Sequence, residues 1–157
     1  MNTIDWGKIY CFSHWGDDKN KFTIQNEIAP DCFVESIECG DPTAYTGGQS
    51  FPTILNVNLG TSTGVVTLTF DAIGIPDKFI VKYDGDEVIN TGYRGNTSNQ
   101  AALDAELASR GLPPETIISP PNGTATFNKT KTVQTAQILV YAPLFGTGWN
   151  LTLSCPI

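Results

Sequence analysis

The 157-residue chain has few charged side chains, and those it has are mostly acidic. Asp, Glu, Lys and Arg make up 16% of the residues, and 9 basic residues stand against 16 acidic ones, which gives a formal net charge of -7. Proteins that bind nucleic acid through its phosphates carry clusters of Lys and Arg. The basic residues here are scattered along the sequence. The composition therefore predicts a protein that does not bind nucleic acid.

Long apolar segments are also lacking. Asp5 and Lys8 interrupt the amino terminus before the apolar core of a signal peptide could form. No stretch approaches the roughly 18 consecutive apolar residues that a transmembrane helix needs. We therefore expect a protein that is made in a cytosol, without a signal peptide and without a membrane span.

Residues suited to catalysis are scarce. His14 is the only histidine, and the sequence contains neither a Gly-x-Ser-x-Gly motif nor a glycine-rich phosphate loop. Three acidic residues, Asp84, Asp86 and Glu87, lie close together and could offer oxygen ligands to calcium, although an ordinary solvated turn explains them fully. We expect a protein without enzyme activity and without a cofactor, with calcium at Asp84, Asp86 and Glu87 as the alternative.

The four cysteines leave three interpretations open. A reducing cytosol favours free thiols at Cys11, Cys32, Cys39 and Cys155. A zinc ion could instead be bound by Cys11, His14, Cys32 and Cys39, since thiolates and imidazole suit tetrahedral zinc. Disulfides that form after the protein leaves the cell are the third interpretation, and the sequence does not reveal their pairing.

The first 49 residues differ from the rest of the chain. They contain eight of the acidic residues, three of the four cysteines and few alternating runs. This pattern predicts an irregular N-terminal arm at residues 1–49, with short strands at 7–13 and 21–25. Its aromatic side chains need to be buried, so we expect the arm to pack on the main body of the chain or on a neighbouring subunit. The candidate partner-binding residues are Trp6, Tyr10, Phe12 and Trp15.

From residue 50 onward the pattern is that of short β-strands. Residues 64–72 alternate large apolar side chains with Val and Thr, which is typical of a half-buried strand. Asp84-Gly85 between two apolar runs predicts a hairpin, because a primed turn needs positive φ. The other predicted strands are 51–58, 78–83, 87–91, 123–129, 135–141 and 148–154. The prediction is an all-β domain at residues 50–157, an antiparallel β-sandwich of jelly-roll type.

One segment, residues 97–121, interrupts this pattern. Thr97 and Gln100 match a helix capping box, and Gly111 matches a helix stop. Leu103 and Leu107 fall on one face of the helix between them. We predict one short inserted helix that packs on the sandwich, with contacts to a partner as the alternative.

Exposed aromatic rings can bind sugars by stacking on pyranose faces. Tyr45 and Tyr93 are the candidates for such a site. Trp149 lies within the pattern of the last strand and is expected in the core.

A further signal comes from five stretches of the chain, residues 64–72, 75–85, 90–95, 123–129 and 142–156. Together they resemble β-sandwich modules of uncharacterised bacteriophage and prophage structural proteins. The resemblance covers about residues 60–156 and excludes the insertion at 97–121. It implies a noncatalytic virion component, such as a tail, fibre-associated or capsid decoration protein, that assembles through its arm with other virion proteins and with itself as a homo-oligomer. The alternative function is that of a lectin-like carbohydrate-binding β-sandwich, with or without calcium, whose ligand is a host-surface glycan.

Overall fold

The computed structural model describes residues 36–46 and 49–157, with residues 45 and 46 described in their backbone alone. The strands in these residues are β1 (Ser36–Glu38), β2 (Thr43–Thr46), β3 (Ser50–Asn58), β4 (Gly64–Asp71), β5 (Asp77–Tyr83), β6 (Asp86–Arg94), β7 (Asn122–Lys129), β8 (Thr135–Ala142) and β9 (Gly148–Leu153). A 3-10 turn (Thr97–Asn99) leads into the helix α1 (Gln100–Ser109). The strands predicted from residue 50 onward are confirmed to within a few residues.

The strands form two sheets that pack face to face. Sheet A has the order β1-β3-β8-β5-β6, and sheet B has the order β2-β9-β4-β7. Neighbouring strands are antiparallel, except that β1 runs parallel to β3. From β2 to β9, consecutive strands lie in opposite sheets, apart from the β5–β6 hairpin. This is the strand order of a jelly roll, so the predicted fold class is confirmed.

Two of these strands lie within the predicted arm at residues 1–49. β1 pairs with β3, and β2 pairs with β9, so residues 36–46 contribute to both sheets. Strands of three and four residues are too short to show a recognisable alternation. The strands predicted at 7–13 and 21–25 lie outside the described residues.

The core lies between the two sheets. Alternate side chains of each long strand point into it, as in Val66 and Leu68 of β4. Trp149 is 1% exposed and confirms the expected core position. The ring of Phe79 lies 5.3 Å from the ring of Phe70 and 6.3 Å from that of Trp149. The period-two pattern therefore predicted this core correctly.

The inserted helix covers part of the outer face of sheet A. Leu103 and Leu107 are buried against Tyr93 and Ile117, with partly buried side chains of β3 and β8 beside them. The predicted packing helix is therefore confirmed. No helix among the described residues combines the length and the apolar character needed to cross a membrane.

The start of the helix differs from the predicted capping box, whereas its end agrees with the prediction. The side chain of Asn96, one residue before Thr97, accepts a hydrogen bond from the backbone N–H of Ser98. The side chain of Gln100 instead accepts from the backbone N–H of Ile117 at 2.8 Å, which ties the helix to the connector that follows it. Gly111 has φ of 70° directly after the helix and is the predicted stop.

Candidate functional site

A groove of about 630 Å³ crosses sheet B. All four strands of the sheet contribute to it, together with Pro42 before β2. On β4 the groove spans residues 69–71, and on β7 it spans residues 122–124. The side chains of Thr69 and Thr124 are exposed, so the groove lies on the outer face of the sheet, away from the core. Its volume is in the usual range for small-molecule binding sites.

The strand register aligns polar side chains across this groove. Asp71 pairs with a residue of β7 and a residue of β9, and Thr69 does the same two positions earlier. Side chains that face each other across neighbouring strands lie roughly 5 Å apart. The two rows, which we call the polar rows, are Asn150, Asp71 and Asn122, and then Thr152, Thr69 and Thr124.

The polar rows offer hydrogen bonds with little charge. Hydroxyl and amide side chains both donate and accept. Threonine methyl groups, Ala44 and Pro42 add carbon surface between these polar atoms. Asp71 is the one ionisable side chain in the lining, and its Oδ1 accepts a hydrogen bond of 2.7 Å from the backbone N–H of Ile73. The groove therefore presents neutral hydrogen-bonding groups around a single carboxylate.

A second polar feature lies inside the sandwich. Asp77 and Thr147 are both buried, and the Oγ1 atom of Thr147 lies 2.7 Å from each carboxyl oxygen of Asp77. The hydroxyl has one proton and can donate to one of these oxygens. The other contact is a hydrogen bond when the carboxyl is protonated and donates to Thr147. Burial raises the pKa of Asp77 from 3.8 to about 7, although the hydrogen bond from Thr147 lowers it in part.

The acidic residues predicted to bind calcium do not converge on one point. Asp84 forms an ion pair with Lys131, and Glu87 accepts a hydrogen bond of 3.0 Å from the side chain of Asn90. The Asp84-Gly85 turn has positive φ at both residues, 51° and 85°, as predicted for a primed hairpin. Within residues 36–46 and 49–157, no three acidic, cysteine or histidine side chains are placed to hold a metal ion. The acidic residues here belong to the hairpin and its ion pair.

The expectation of free thiols is wrong for Cys39 and Cys155, which form a disulfide with their Cα atoms 4.9 Å apart. Cys39 follows β1 and Cys155 follows β9, so the bond joins the two sheets. While this bond is intact, Cys39 cannot serve as the zinc ligand proposed from the sequence. The other members of that set, Cys11, His14 and Cys32, lie outside the described residues.

The aromatic candidates have different outcomes. Tyr93 is fully buried beneath the helix, so the prediction that its ring stacks on a sugar is wrong. Tyr45 lies in β2, where its backbone pairs with Trp149. The proposed partner-binding residues of the arm lie outside the described residues. They are Trp6, Tyr10, Phe12 and Trp15.

Sequence reasoning missed the polar rows, although part of their signal was visible. Thr67 and Thr69 of β4 are separated by one residue, as are Thr124 and Thr126 of β7. This spacing places the threonines of each strand on one face. The pairing of β4 with β7, which joins them into one surface, links distant parts of the chain and is not visible in either strand alone.

No protein-family model matches the sequence, and no curated protein matches it. Solved structures do match. The pre-peptidase C-terminal domain of a collagenase from Bacillus anthracis has a TM-score of 0.49 and 12% identity, over 76% of this chain and 93% of that domain. A family 6 carbohydrate-binding module has a TM-score of 0.34 and 10% identity, over 78% of this chain and 98% of that one.

A further match is the Clostridium stercorarium module CsCBM6-3, solved in complex with cellobiose. Its TM-score is 0.28 with 15% identity, and the match covers 76% of this chain and 70% of that one. These values describe a distant structural similarity to β-sandwich modules. The two packed sheets of the chain itself confirm the β-sandwich part of the resemblance stated above, and its assignment to bacteriophage proteins stays a prediction.

Proposed function

We propose that the protein is a noncatalytic carbohydrate-binding module whose groove on sheet B takes a neutral oligosaccharide. The observation that carries this proposal is the pair of polar rows, which extends hydroxyl and amide groups over three adjacent strands. Every sugar hydroxyl is both a donor and an acceptor, as are the side chains that line the groove. Carbon surface from threonine methyl groups and Pro42 suits the C–H faces of sugar rings.

Charge favours neutral sugars over acidic ones. Asp71 contributes a negative charge at the centre of its row, and the lining contains no Lys or Arg. The chain as a whole has a net charge of -7. Like charges repel at an interface and lower affinity. We therefore expect uronic, sialylated and sulfated glycans to bind less well than neutral chains of similar length.

The disulfide supports a role after release from the cell. Disulfides persist in oxidising surroundings and are rare in a reducing cytosol. A glycan on a cell surface or in an extracellular matrix is accessible to such a protein.

A virion component is the second candidate function, and one surface feature favours it. Phe145 is 77% exposed and Ile73 is 56% exposed, and a second groove is lined by residues next to Phe145 and by Ile73 itself. Exposed apolar groups of this kind occur at protein contacts. In this case the chain would be a structural or attachment component that is carried on a bacteriophage particle.

The test is a glycan array of neutral and acidic oligosaccharides, followed by calorimetric titration of the best ligand. We expect binding to a neutral chain and a loss of about tenfold in affinity or more for Thr69→Val combined with Asn150→Ala, because each removed hydrogen bond is worth about 1 kcal/mol. Thr126→Val is the matched control, since it removes a hydroxyl from the same face outside the groove. Binding in the double variant equal to that of the unaltered protein would overturn the proposal.

The variant Phe145→Ser distinguishes the two candidate functions. A virion role requires this substitution to reduce assembly into particles, whereas a glycan-binding role requires glycan binding to persist.

A further inference from the structure

Among residues 36–46 and 49–157, no strand pairs with the outer edge of β7. β7 is the last strand of sheet B and pairs with β4 on its inner side. The direction of its backbone groups follows from β4. Val65 exchanges backbone hydrogen bonds with Ile157, at 2.8 and 3.1 Å, and Thr67 O accepts one from Ser154 N. Odd-numbered residues of β4 therefore point their N–H and C=O groups toward β9, and even-numbered residues point theirs toward β7.

The same alternation identifies the backbone N–H and C=O groups of β7 that do not bond to β4. Val66 and Leu68 face Phe127 and Ala125 in the register, so odd-numbered residues of β7 bond to β4. Thr124, Thr126 and Asn128 point their N–H and C=O groups away from the sheet. Their side chains are exposed, and no backbone hydrogen bond from another described segment reaches them.

The strand itself carries none of the usual features that protect an edge against pairing. Edge strands are commonly blocked by proline, by exposed lysine, by bulges or by their short length. β7 has eight residues, contains no proline and pairs with β4 without a bulge. Its one charged residue, Lys129, is buried, where its Nζ donates to the carbonyls of Ser62 and Lys131 at 2.7 and 2.8 Å. At the other end of β7, Arg94 donates a hydrogen bond to the backbone carbonyl of Asn122, so this carbonyl already has a partner.

We propose that β7 pairs with β7 of a second copy of the chain, antiparallel and with Thr126 on the two-fold axis. In this register Thr126 faces Thr126 of the partner subunit, and Thr124 faces Asn128 of the partner subunit. Each facing pair exchanges two N–H···O bonds. The two copies of β7 are compatible in this arrangement, since no charged side chain of the edge faces a like charge across the axis. The two B sheets then form one continuous sheet with a groove from each copy on the same side.

The first test is a cysteine cross-link in the full chain. Residues that face each other in a hydrogen-bonded antiparallel pair have Cα atoms roughly 5.5 Å apart, which a disulfide can bridge. Thr126→Cys should therefore form a covalent dimer through position 126 on mild oxidation. Thr124→Cys is the matched control, because its own copy across the axis lies roughly 14 Å away along the strand. Peptide mapping identifies the linked residue. Equal cross-linking of both variants, or of neither, would overturn the proposal.

The second test removes the edge donor itself. Proline at position 126 deletes an N–H that points away from β4, so the fold can tolerate it at an edge. Sedimentation over a range of concentrations should show a dimer for the unaltered chain and for Thr126→Val, and a monomer for Thr126→Pro with an unchanged circular dichroism spectrum. If Thr126→Pro does not fold, Thr126→Lys takes its place, since two lysines would then face each other across the axis. A monomeric unaltered chain, or a dimer that survives these changes, would refute pairing through β7.

Discussion

Replacing Asp77 with asparagine should remove a pH dependence from the stability of the sandwich. Burial raises the pKa of this carboxyl from 3.8 to about 7. Between about pH 4 and pH 7 the folded protein keeps the proton, whereas the unfolded chain releases it. The unfolded state then binds fewer protons than the folded state. The free energy of unfolding therefore falls as the pH rises through this window, which is the opposite of the usual behaviour of a carboxylate in an ion pair.

The size of the change in the free energy of unfolding follows from the difference between the two pKa values of Asp77. Three pKa units correspond to about 4 kcal/mol, which the folded state loses in full above pH 7. The amide in Asp77→Asn stays neutral and can still accept a hydrogen bond from Thr147. We expect the variant and the unaltered protein to have similar stability near pH 4. At pH 8 the variant should be more stable by about 4 kcal/mol.

Urea denaturation at intervals from pH 4 to pH 8 measures this difference. Asp41→Asn is the matched control, because it makes the same substitution at an exposed side chain in the loop before β2. A constant difference between Asp77→Asn and the unaltered protein at every pH would mean that the carboxyl does not titrate in this range. A difference of the opposite sign would show that the carboxylate is the stabilised form, and would refute the reasoning from burial.

Two further predictions concern the disulfide and the buried hydrogen bonds of Lys129. The double replacement of Cys39 and Cys155 by serine should lower the free energy of unfolding by about 2–5 kcal/mol. The reason is that the disulfide joins residues 116 positions apart. An unchanged urea midpoint under oxidising conditions would contradict this prediction. Lys129→Met should lower it by about 2 kcal/mol, because two carbonyls lose the buried ammonium that donates to them. Lys131→Met, at an exposed side chain, should have a much smaller effect. Urea denaturation of both variants measures the difference, and equal losses of stability would contradict the prediction.

The fold was largely predictable because its long strands alternate. In β4 and β9 the buried apolar side chains repeat with period two, and the residues between them face outward. β1 and β2 escaped prediction because three or four residues contain too few repeats. The helix was predictable from Leu103 and Leu107, whereas its cap was misplaced by one residue. Asn96 and Thr97 are both good capping residues, and the choice between them depends on the 3-10 turn that precedes the helix.

The site was harder to predict because it depends on pairing between distant strands. The polar rows combine residues near positions 70, 123 and 151, and no local pattern brings these together. The pairing of Cys39 with Cys155 was left open for a similar reason. These cysteines meet because the end of β1 and the end of β9 lie close together. Tyr93 was assigned to the wrong surface because the helix that buries it comes from a later part of the chain.

The outer faces of the two sheets differ in the side chains that they present. Sheet A has apolar side chains on its outer face, and the helix covers part of that face. The outer face of sheet B carries a groove that is open to solvent, so solubility alone would favour charged side chains there. The face presents Thr and Asn instead, with Asp71 as the one charge in the groove lining. A bound ligand must displace water from its site, and displacing it from neutral hydroxyl and amide groups costs less than displacing it from ions. Among the residues that the structure describes, this nearly uncharged face is the surface that we propose for oligosaccharide binding.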